Sequence, residues 1–103
     1  MNNMGGLLQQ AQQMQRKMLE LEKKLNEMEV QGSVSNGLVT VTMTGKGNIK
    51  SIKIDESLKE DIEVLEDLIV AAFSEAKKNA DKLSEDEMKS ITGGMPMPPG
   101  LRF

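Results

Sequence analysis

The chain has 103 residues, two of them aromatic, and it carries 13 basic and 16 acidic side chains for a net charge of -3. This length gives one domain, whose core must be built from aliphatic and methionine side chains. Cysteine and histidine are both missing, which excludes disulfides, thiolate nucleophiles, imidazole bases and most transition-metal sites. We therefore expect a protein that is not an enzyme and that uses no cofactor, no metal and no small-molecule substrate.

The sequence carries no recognisable secretion or membrane signal. No stretch approaches the roughly 20 apolar residues that a membrane span requires. The first eight residues have neither the basic region nor the apolar region of a signal peptide. We therefore expect a cytoplasmic location and no membrane partner.

The first predicted element is a long amphipathic helix from about residue 3 to residue 31. Its apolar residues follow alternating steps of four and three, the spacing of a coiled-coil seam. No glycine or proline interrupts residues 7–31, and most of the remaining residues favour a helix. The seam consists of Leu7, Ala11, Met14, Met18, Leu21, Leu25 and Met28.

Residues 30–54 change to a period of two, which predicts three antiparallel strands. Asn36-Gly37 favours a type I′ turn, and the hairpin read outward from it pairs Val34 with Val39 and Val30 with Met43. A second turn at residues 45–48 sets Ile52 opposite Val41 and Ile54 opposite Val39. One face of this sheet is then apolar, and the other is polar and carries Ser33, Ser35, Thr40, Thr42, Ser51 and Lys53.

The last predicted element is a second long helix, which starts near Ser57 with a capping box to Glu60. A similar pair, Ser84 and Glu87, predicts a kink or a short separate helix. The apolar stripe comprises Leu58, Ile62, Leu65, Ile69, Ala72, Ala76, Ala80 and Leu83. Residues 1–92 therefore form one domain of the α+β class: a long N-terminal helix, a three-stranded antiparallel sheet and a long C-terminal helix. Residues 93–103, rich in Gly, Met and Pro, form a flexible tail.

The helix lengths predict a homodimer. A helix over residues 3–31 is about 40 Å long, whereas a compact 100-residue globule is about 34 Å across. The apolar stripes that overhang the sheet must pack on other helices, and a three-stranded sheet is a marginal core by itself. We therefore expect two chains related by two-fold symmetry, although the first helix could pack on its own second helix or on its neighbour's.

Basic residues recur every seven positions beside the seam of the first helix. Arg16 and Lys23 share one helical position, and Lys17 and Lys24 share the next. We call these four residues the basic ridge. A second basic set, Lys77, Lys78 and Lys82, lies in the second helix. The residues alone favour solvated helix faces for both sets, since Glu20 is spaced to pair with Lys23 and Lys24, and residues of the ridge could also select a partner helix.

Other patterns are weaker signals. Gly45-Lys46-Gly47 lacks the spacing of a phosphate-binding loop and reads as a turn. The acidic residues 55–61 lack the ligand spacing of a calcium loop and are typical of a helix start. The lysines of the strands are explained equally well by protection of a sheet edge.

Several short stretches, in this order and spacing, resemble the bacterial YbaB/EbfC family of nucleoid-associated proteins. The resemblance covers nearly the whole chain, so residues 1–92 are read as one dimerising domain of this type. It rests on Gln10-Ala11-Gln12-Gln13-Met14-Gln15, Val30-Gln31-Gly32, Asn36-Gly37-Leu38-Val39-Thr40-Val41, Gly45-Lys46-Gly47, Ile52-Lys53-Ile54-Asp55, Leu65-Glu66-Asp67-Leu68-Ile69-Val70-Ala71-Ala72-Phe73 and Gly93-Gly94-Met95-Pro96.

The resemblance implies a tweezer-like homodimer in which the sheets form the body and the helices project as arms. It also implies DNA binding, association with the nucleoid, and a role in gene expression or recombination. Because DNA is bound through Lys and Arg, we assign duplex DNA binding to Arg16, Lys17, Lys23, Lys24, Lys77, Lys78 and Lys82. With no stacking aromatic and no recognisable base-reading helix, we expect low sequence specificity.

A competing hypothesis is a dimeric scaffold for protein interactions. Here the methionine-rich seam or the proline-containing tail would dock another protein, and nucleic-acid binding would be incidental. The two hypotheses differ in salt dependence, because binding to phosphate weakens steeply with added salt and apolar docking does not.

Overall fold

The computed structural model describes residues 4–92 and confirms the predicted α+β architecture. In chain order the elements are α1 (Met4–Glu27), β1 (Glu29–Val34), β2 (Val39–Thr44), β3 (Ile49–Ile54) and α2 (Ile62–Thr92). A 3₁₀ turn, Glu56–Leu58, precedes α2. The tail predicted for residues 93–103 lies outside the described residues.

Helix α1 ends earlier than predicted, at Glu27, so that residues 29–31 belong to the sheet. The backbone N–H of Gly45 donates to the carbonyl of Leu25 at 2.9 Å and to that of Met28 at 3.1 Å. These bonds satisfy acceptors at the helix C-terminus, which a helix cannot pair internally. A contact with the β2–β3 turn therefore accompanies the end of the helix, and no local sequence signal reports it.

The three strands form an antiparallel sheet in the order β1-β2-β3. The predicted register is confirmed: Val34 pairs with Val39, Val30 with Met43, Val41 with Ile52 and Val39 with Ile54. A register shift between Thr42 and Met43 brings Met43 opposite Ile49. Such a bulge places one more residue on one strand than on its partner.

The β1–β2 connection differs from the predicted two-residue type I′ turn. It spans residues 35–38, and Ser35, Asn36 and Gly37 all have positive φ angles, of 53°, 57° and 87°. The N–H of Leu38 donates to the carbonyl of Val34 at 3.1 Å. Three consecutive left-handed residues therefore reverse the chain, with Gly37 at the least favourable angle for a side chain.

The start of α2 corrects the predicted Ser57–Glu60 capping box. Asp55 caps the 3₁₀ turn, and its side chain accepts the N–H of Ser57 at 3.0 Å. The side-chain and backbone hydrogen bonds from Ser57 lower the pKa of the Asp55 carboxyl. Asp61 then accepts the N–H of Val64 at 3.4 Å, as an N-cap residue does.

Helix α2 then runs unbroken through Ser84 to Thr92, so the prediction of a separate helix from Ser84 is wrong. Leu83 and Met88, which bracket this position, pack in one cluster with α1. Such packing on one apolar face favours a continuous helix over a new helix start.

The main core lies between α2 and the first two strands. Val39, Val41 and Met43 of β2 are fully buried against Ala72, Ala76 and Ala80 of α2. These small alanines bring the helix close to the sheet. At Gly32 of β1 the approach is closest, since a Cβ there would overlap the backbone nitrogen of Ala76 and the carbonyl oxygen of Ala72.

Strand β3 lies outside this covered region. Its residues Ile49, Ile52 and Ile54, here called the isoleucine edge, are 48%, 42% and 41% exposed. Contacts on the two sides of α2 show where it crosses the sheet. On one side, the side chain of Asn79 donates to the backbone carbonyl of Gln31 in β1 at 2.7 Å. On the other side, Lys77 lies against Gly47 in the β2–β3 turn.

A second, smaller cluster joins the two helices. Leu21 and Leu25 of α1 pack with Met88 of α2, and Met18, Met28, Leu83 and Ile91 surround them. Leu25 of α1 and Leu83 of α2 both reach Gly45. The second cluster then continues backward along α1 to Met18 and forward along α2 to Ile91, so the two helices run antiparallel. The described chain is 72 Å long and about 20 Å wide, so α1 extends past the C-terminal end of α2.

Candidate nucleic-acid interface

The basic ridge lies on the C-terminal half of α1. Arg16, Lys17, Lys23 and Lys24 are all exposed on this helix. Lys24 donates to Glu87 of α2 at 2.9 Å. Within residues 4–92, Arg16, Lys17 and Lys23 form no ion pair.

The charge of α1 is asymmetric along its length. Residues 4–19 contain Arg16 and Lys17 and no acidic residue, and the first acid of the helix is Glu20. Most of the other polar residues here are glutamines, namely Gln9, Gln10, Gln12, Gln13 and Gln15. The projecting part of α1 is therefore locally cationic although the whole chain has a net charge of -3.

The second basic set lies on exposed surface of α2. Lys77 donates to Asp81 at 2.8 Å, one helical turn later. Lys78 and Lys82 each follow a buried alanine by two residues, which places them about 200° around the helix from the core. Among the described residues, neither of them is joined to an acid.

One chain does not bring the seven predicted residues into a single site. Because Lys24 pairs with Glu87, it lies level with residue 87 of α2, about 7 Å along the helix axis from Lys82. Lys78 and Lys82 face away from the sheet, whereas Lys17 and Lys24 flank the seam that packs on α2. Each chain therefore carries two separate basic patches.

Ion pairs in the structure differ from those that the sequence spacing allowed. Lys24 bonds to Glu87, 63 residues away, and Glu29 bonds to Lys50 at 2.6 Å. Lys46 bonds to Glu22 at 3.0 Å. These pairs are exposed or half-exposed, so each contributes little to stability. They lower the positive charge available at Lys24 and Lys50.

No DNA contact was predicted on the open face of the sheet, where Lys53 is an exposed cation. Lys53 is paired in register with Thr40, whose hydroxyl lies 3.0 Å from that of Ser33. Gln31 and Thr42 form the next polar row. The available signal was the charge of residues 33–54, which contain three lysines and no acid.

The described residues contain no group of three or more acidic side chains arranged to hold a metal ion. Neither helix in this part of the chain combines the length and apolarity needed to cross a bilayer. What the arrangement offers chemically is exposed cationic and hydroxyl groups, which bind phosphate oxygens.

Comparison with known proteins identifies the family. A nucleoid-associated protein of Gluconacetobacter diazotrophicus is 48% identical, over 100% of this chain and 98% of the relative. One of Rhodospirillum rubrum is 47% identical, over 98% and 96% of the two chains. The crystal structure of an uncharacterised protein of Helicobacter pylori, HP0035, superposes with a TM-score of 0.74 at 26% identity, over 86% of this chain and 92% of that one. The family model described as the YbaB/EbfC DNA-binding family matches residues 1–95, and the chain belongs to that family.

Proposed function

We propose that this protein is a non-enzymatic, nucleoid-associated protein that binds duplex DNA as a homodimer with low sequence specificity. Family membership and the names of the relatives support DNA binding at the nucleoid, which lies in the cytoplasm. The observation that carries the assignment to α1 is the acid-free stretch of residues 4–19, which bears Arg16 and Lys17. On this reading DNA binding contributes to nucleoid organisation, gene expression or recombination.

The overall charge requires such a local site. A dimer carries a net charge of -6, twice that of the chain, and duplex DNA repels an acidic surface. The acids at the start of α2, including Glu60, Asp61, Glu63, Glu66 and Asp67, lie at the opposite end of α2 from the α1 contact. Along α2, Asp67 lies about 30 Å from Glu87, where Lys24 of the ridge is bound, and this distance exceeds the Debye length of about 8 Å at physiological salt. DNA at the basic ridge is therefore screened from these acids.

Dimerisation is proposed to occur at the isoleucine edge. Within residues 4–92 no further strand pairs with the outer edge of β3, and Ile49, Ile52 and Ile54 extend the apolar face of the sheet beyond the cover of α2. Phe73 is 38% exposed on the same side of α2 as Lys77, which lies against the β2–β3 turn. A second copy seated here buries these side chains and makes the sheets the body of the dimer, from which the helices project.

The substitution Ile52→Asp tests this interface. A buried carboxylate at the centre of an apolar contact carries a large desolvation cost, so we expect the dimer dissociation constant to rise by at least about 100-fold. Sedimentation velocity over a concentration series measures it. Ser51→Asp is the matched control, because it adds the same charge to the adjacent residue on the opposite face. Equal dissociation constants for the two variants would place the interface elsewhere.

Low sequence specificity follows from the side chains available. The two phenylalanines and the absence of Trp and Tyr leave almost no stacking surface for bases. The basic ridge consists of Lys and Arg spaced along one helix, an arrangement that contacts phosphates and carries no sequence information by itself. Contacts of this type predict similar affinities for unrelated duplexes of equal length.

A salt series tests DNA binding. Sedimentation of the protein with a short duplex should show a dimer bound to DNA, and the logarithm of the binding constant should fall linearly with that of salt concentration, with a slope of about -7 or steeper when both ridges of the dimer are engaged. A single strand of the same sequence should give a shallower slope. Binding that persists unchanged at high salt would contradict phosphate contact and favour the protein-interaction scaffold.

A further inference from the structure

The N-terminal part of α1 carries an apolar face that has no cover within the described chain. Residues 4–13 are all exposed, and Met14 is half-buried. We call residues 4–14 the α1 tip. Met4, Leu7 and Leu8 are 74%, 62% and 61% exposed, and together with Gly5 they line a shallow apolar groove. A contiguous apolar surface of this kind marks a contact with another molecule.

The spacing of the apolar residues on the α1 tip is that of a coiled-coil packing surface. Four of them occupy positions i, i+3, i+4 and i+7, the corners of one hole on a helix surface, namely Met4, Leu7, Leu8 and Ala11. In a coiled coil such a hole receives one side chain from the facing helix. The surface therefore fits a helix with apolar residues at the same spacing.

The charge of the α1 tip favours a second copy of itself as that helix. Residues 4–15 contain no charged side chain, so a charged partner helix gains no ion pair along this stretch. Two copies of the tip meet without charge repulsion, and each offers the apolar spacing that the other requires. Such a self-complementary contact is the isologous kind found in two-fold symmetric assemblies.

The packing of α1 on α2 selects the orientation of such a pair. Leu21 and Leu25, farther along the same seam, are buried against α2. A parallel partner along the whole of α1 would meet this covered part, whereas an antiparallel partner can overlap the tip alone. In an antiparallel pair centred on the tip, Leu7 of one copy lies opposite Ala11 of the other. A large side chain then faces a small one, which favours close interdigitation.

We propose that the α1 tip is a self-association surface, which pairs antiparallel with the same segment of another molecule and joins one dimer to the next. The proposal rests on the proposed homodimer for what is joined, and it does not depend on DNA binding. About three helical turns from each copy form a small contact, and contacts of this size are weak. DNA that holds several dimers raises their local concentration, so the pairing becomes populated there and links duplex segments.

The substitution Leu7→Gln tests the contact in the full-length protein without DNA. It removes one leucine from each copy in the pair and introduces another good helix former. Sedimentation velocity over a concentration series that extends to about 1 mM should show unsubstituted dimers associating into larger species. For Leu7→Gln we expect the dissociation constant of this step to rise at least about tenfold, while the dimer itself is retained.

Leu19→Gln is the matched control. Leu19 is 63% exposed on the same helix, close to the exposure of Leu7, but it lies one position beyond the seam residue Met18. This variant should associate as the unsubstituted protein does. Equal weakening by both substitutions, or an unsubstituted protein that remains a dimer at every concentration, would overturn the proposal. Dissociation of the Leu7→Gln variant into single chains would also overturn it, since the tip would then belong to the contact within the dimer.

Introduced cysteines test the orientation, since the chain has none of its own. Two separately purified proteins, one with Leu7→Cys and one with Ala11→Cys, are mixed and oxidised at once, so that a mixed disulfide joins different dimers. We expect the mixed bond to be about tenfold more abundant than either bond between like variants, as measured by mass spectrometry of the linked peptides. No excess of the mixed bond over random pairing would contradict the antiparallel arrangement. Both tests are made without DNA, so their failure is distinct from failure of the salt series.

Discussion

Replacing Arg16, Lys17, Lys23 and Lys24 together with glutamine should lower the affinity for duplex DNA by at least about 100-fold at low salt. In the proposed dimer eight positive charges are lost, four from each chain, and with full engagement the slope of the salt plot should become shallower by about 7. Glutamine is a good helix former, so α1 should be retained. Fluorescence anisotropy with a labelled duplex over a salt series measures both quantities.

The control for this variant removes the same charge elsewhere. Glutamine at Lys50, Lys53, Lys59 and Lys89 gives the same net charge and leaves the basic ridge intact. We expect this control to keep most of the affinity. If it binds as weakly as the ridge variant, overall charge or the sheet face governs attachment, and the assignment to α1 is wrong. Sedimentation of both variants should still report a dimer, because neither set of residues lies on the isoleucine edge.

The substitution Gly32→Ala should reduce the free energy of unfolding by about 3 kcal/mol or more. Its Cβ would overlap backbone atoms of Ala72 and Ala76, and a backbone cannot rotate away as a flexible side chain does. Relief requires α2 to move off β1, which opens the main core. Thermal unfolding at fixed protein concentration should show a melting temperature lower by more than about 10 °C.

Gly6→Ala is the matched control for that substitution. It adds the same methyl group in α1 at a position with open space around it, and alanine favours a helix over glycine by up to about 1 kcal/mol. The melting temperature should therefore stay unchanged or rise slightly. A Gly32→Ala variant as stable as the unsubstituted protein would mean that α2 does not approach β1 as closely as described.

Most of the fold could be predicted because its signals are local and repeated. The steps of four and three between Leu7 and Leu25 specify a helix with one apolar face. Alternation along residues 39–43 fixes which face of the sheet is buried, and with it the register of Val39 and Val41. Each of these patterns is read over a few neighbouring residues.

The features that could not be predicted depend on contacts between distant parts of the chain. The end of α1 at Glu27 accompanies hydrogen bonds from Gly45, and the continuity of α2 past Ser84 accompanies packing of Met88 on Leu21. The cap of α2 at Asp61 competed with an equally plausible pattern at Ser57.

The candidate site likewise has features that the sequence predicts and features that depend on contacts between distant residues. The seven-residue repeat of Arg16 and Lys23 is visible in the sequence, and so is the spacing of Lys77 and Asp81 that allows an ion pair. The pairing of Lys24 with Glu87 is not, because it needs the antiparallel arrangement of the helices. A count of basic residues therefore overestimates the positive charge that the basic ridge can offer to phosphate.

Helix α1 is attached near its C-terminal end, so it acts as a lever: a small rotation there displaces its N-terminal end by several ångströms. Leu21 and Leu25 hold it in a small cluster with soft methionine side chains, while residues 4–13 are exposed along the described chain. Met4 lies about 25 Å along the axis from Leu21, so a rotation of about 10° at the cluster displaces it by about 4 Å. Two such levers in a dimer would change their gap without altering the sheets. The gap between them would then follow the local shape of a bound duplex, which varies with base sequence.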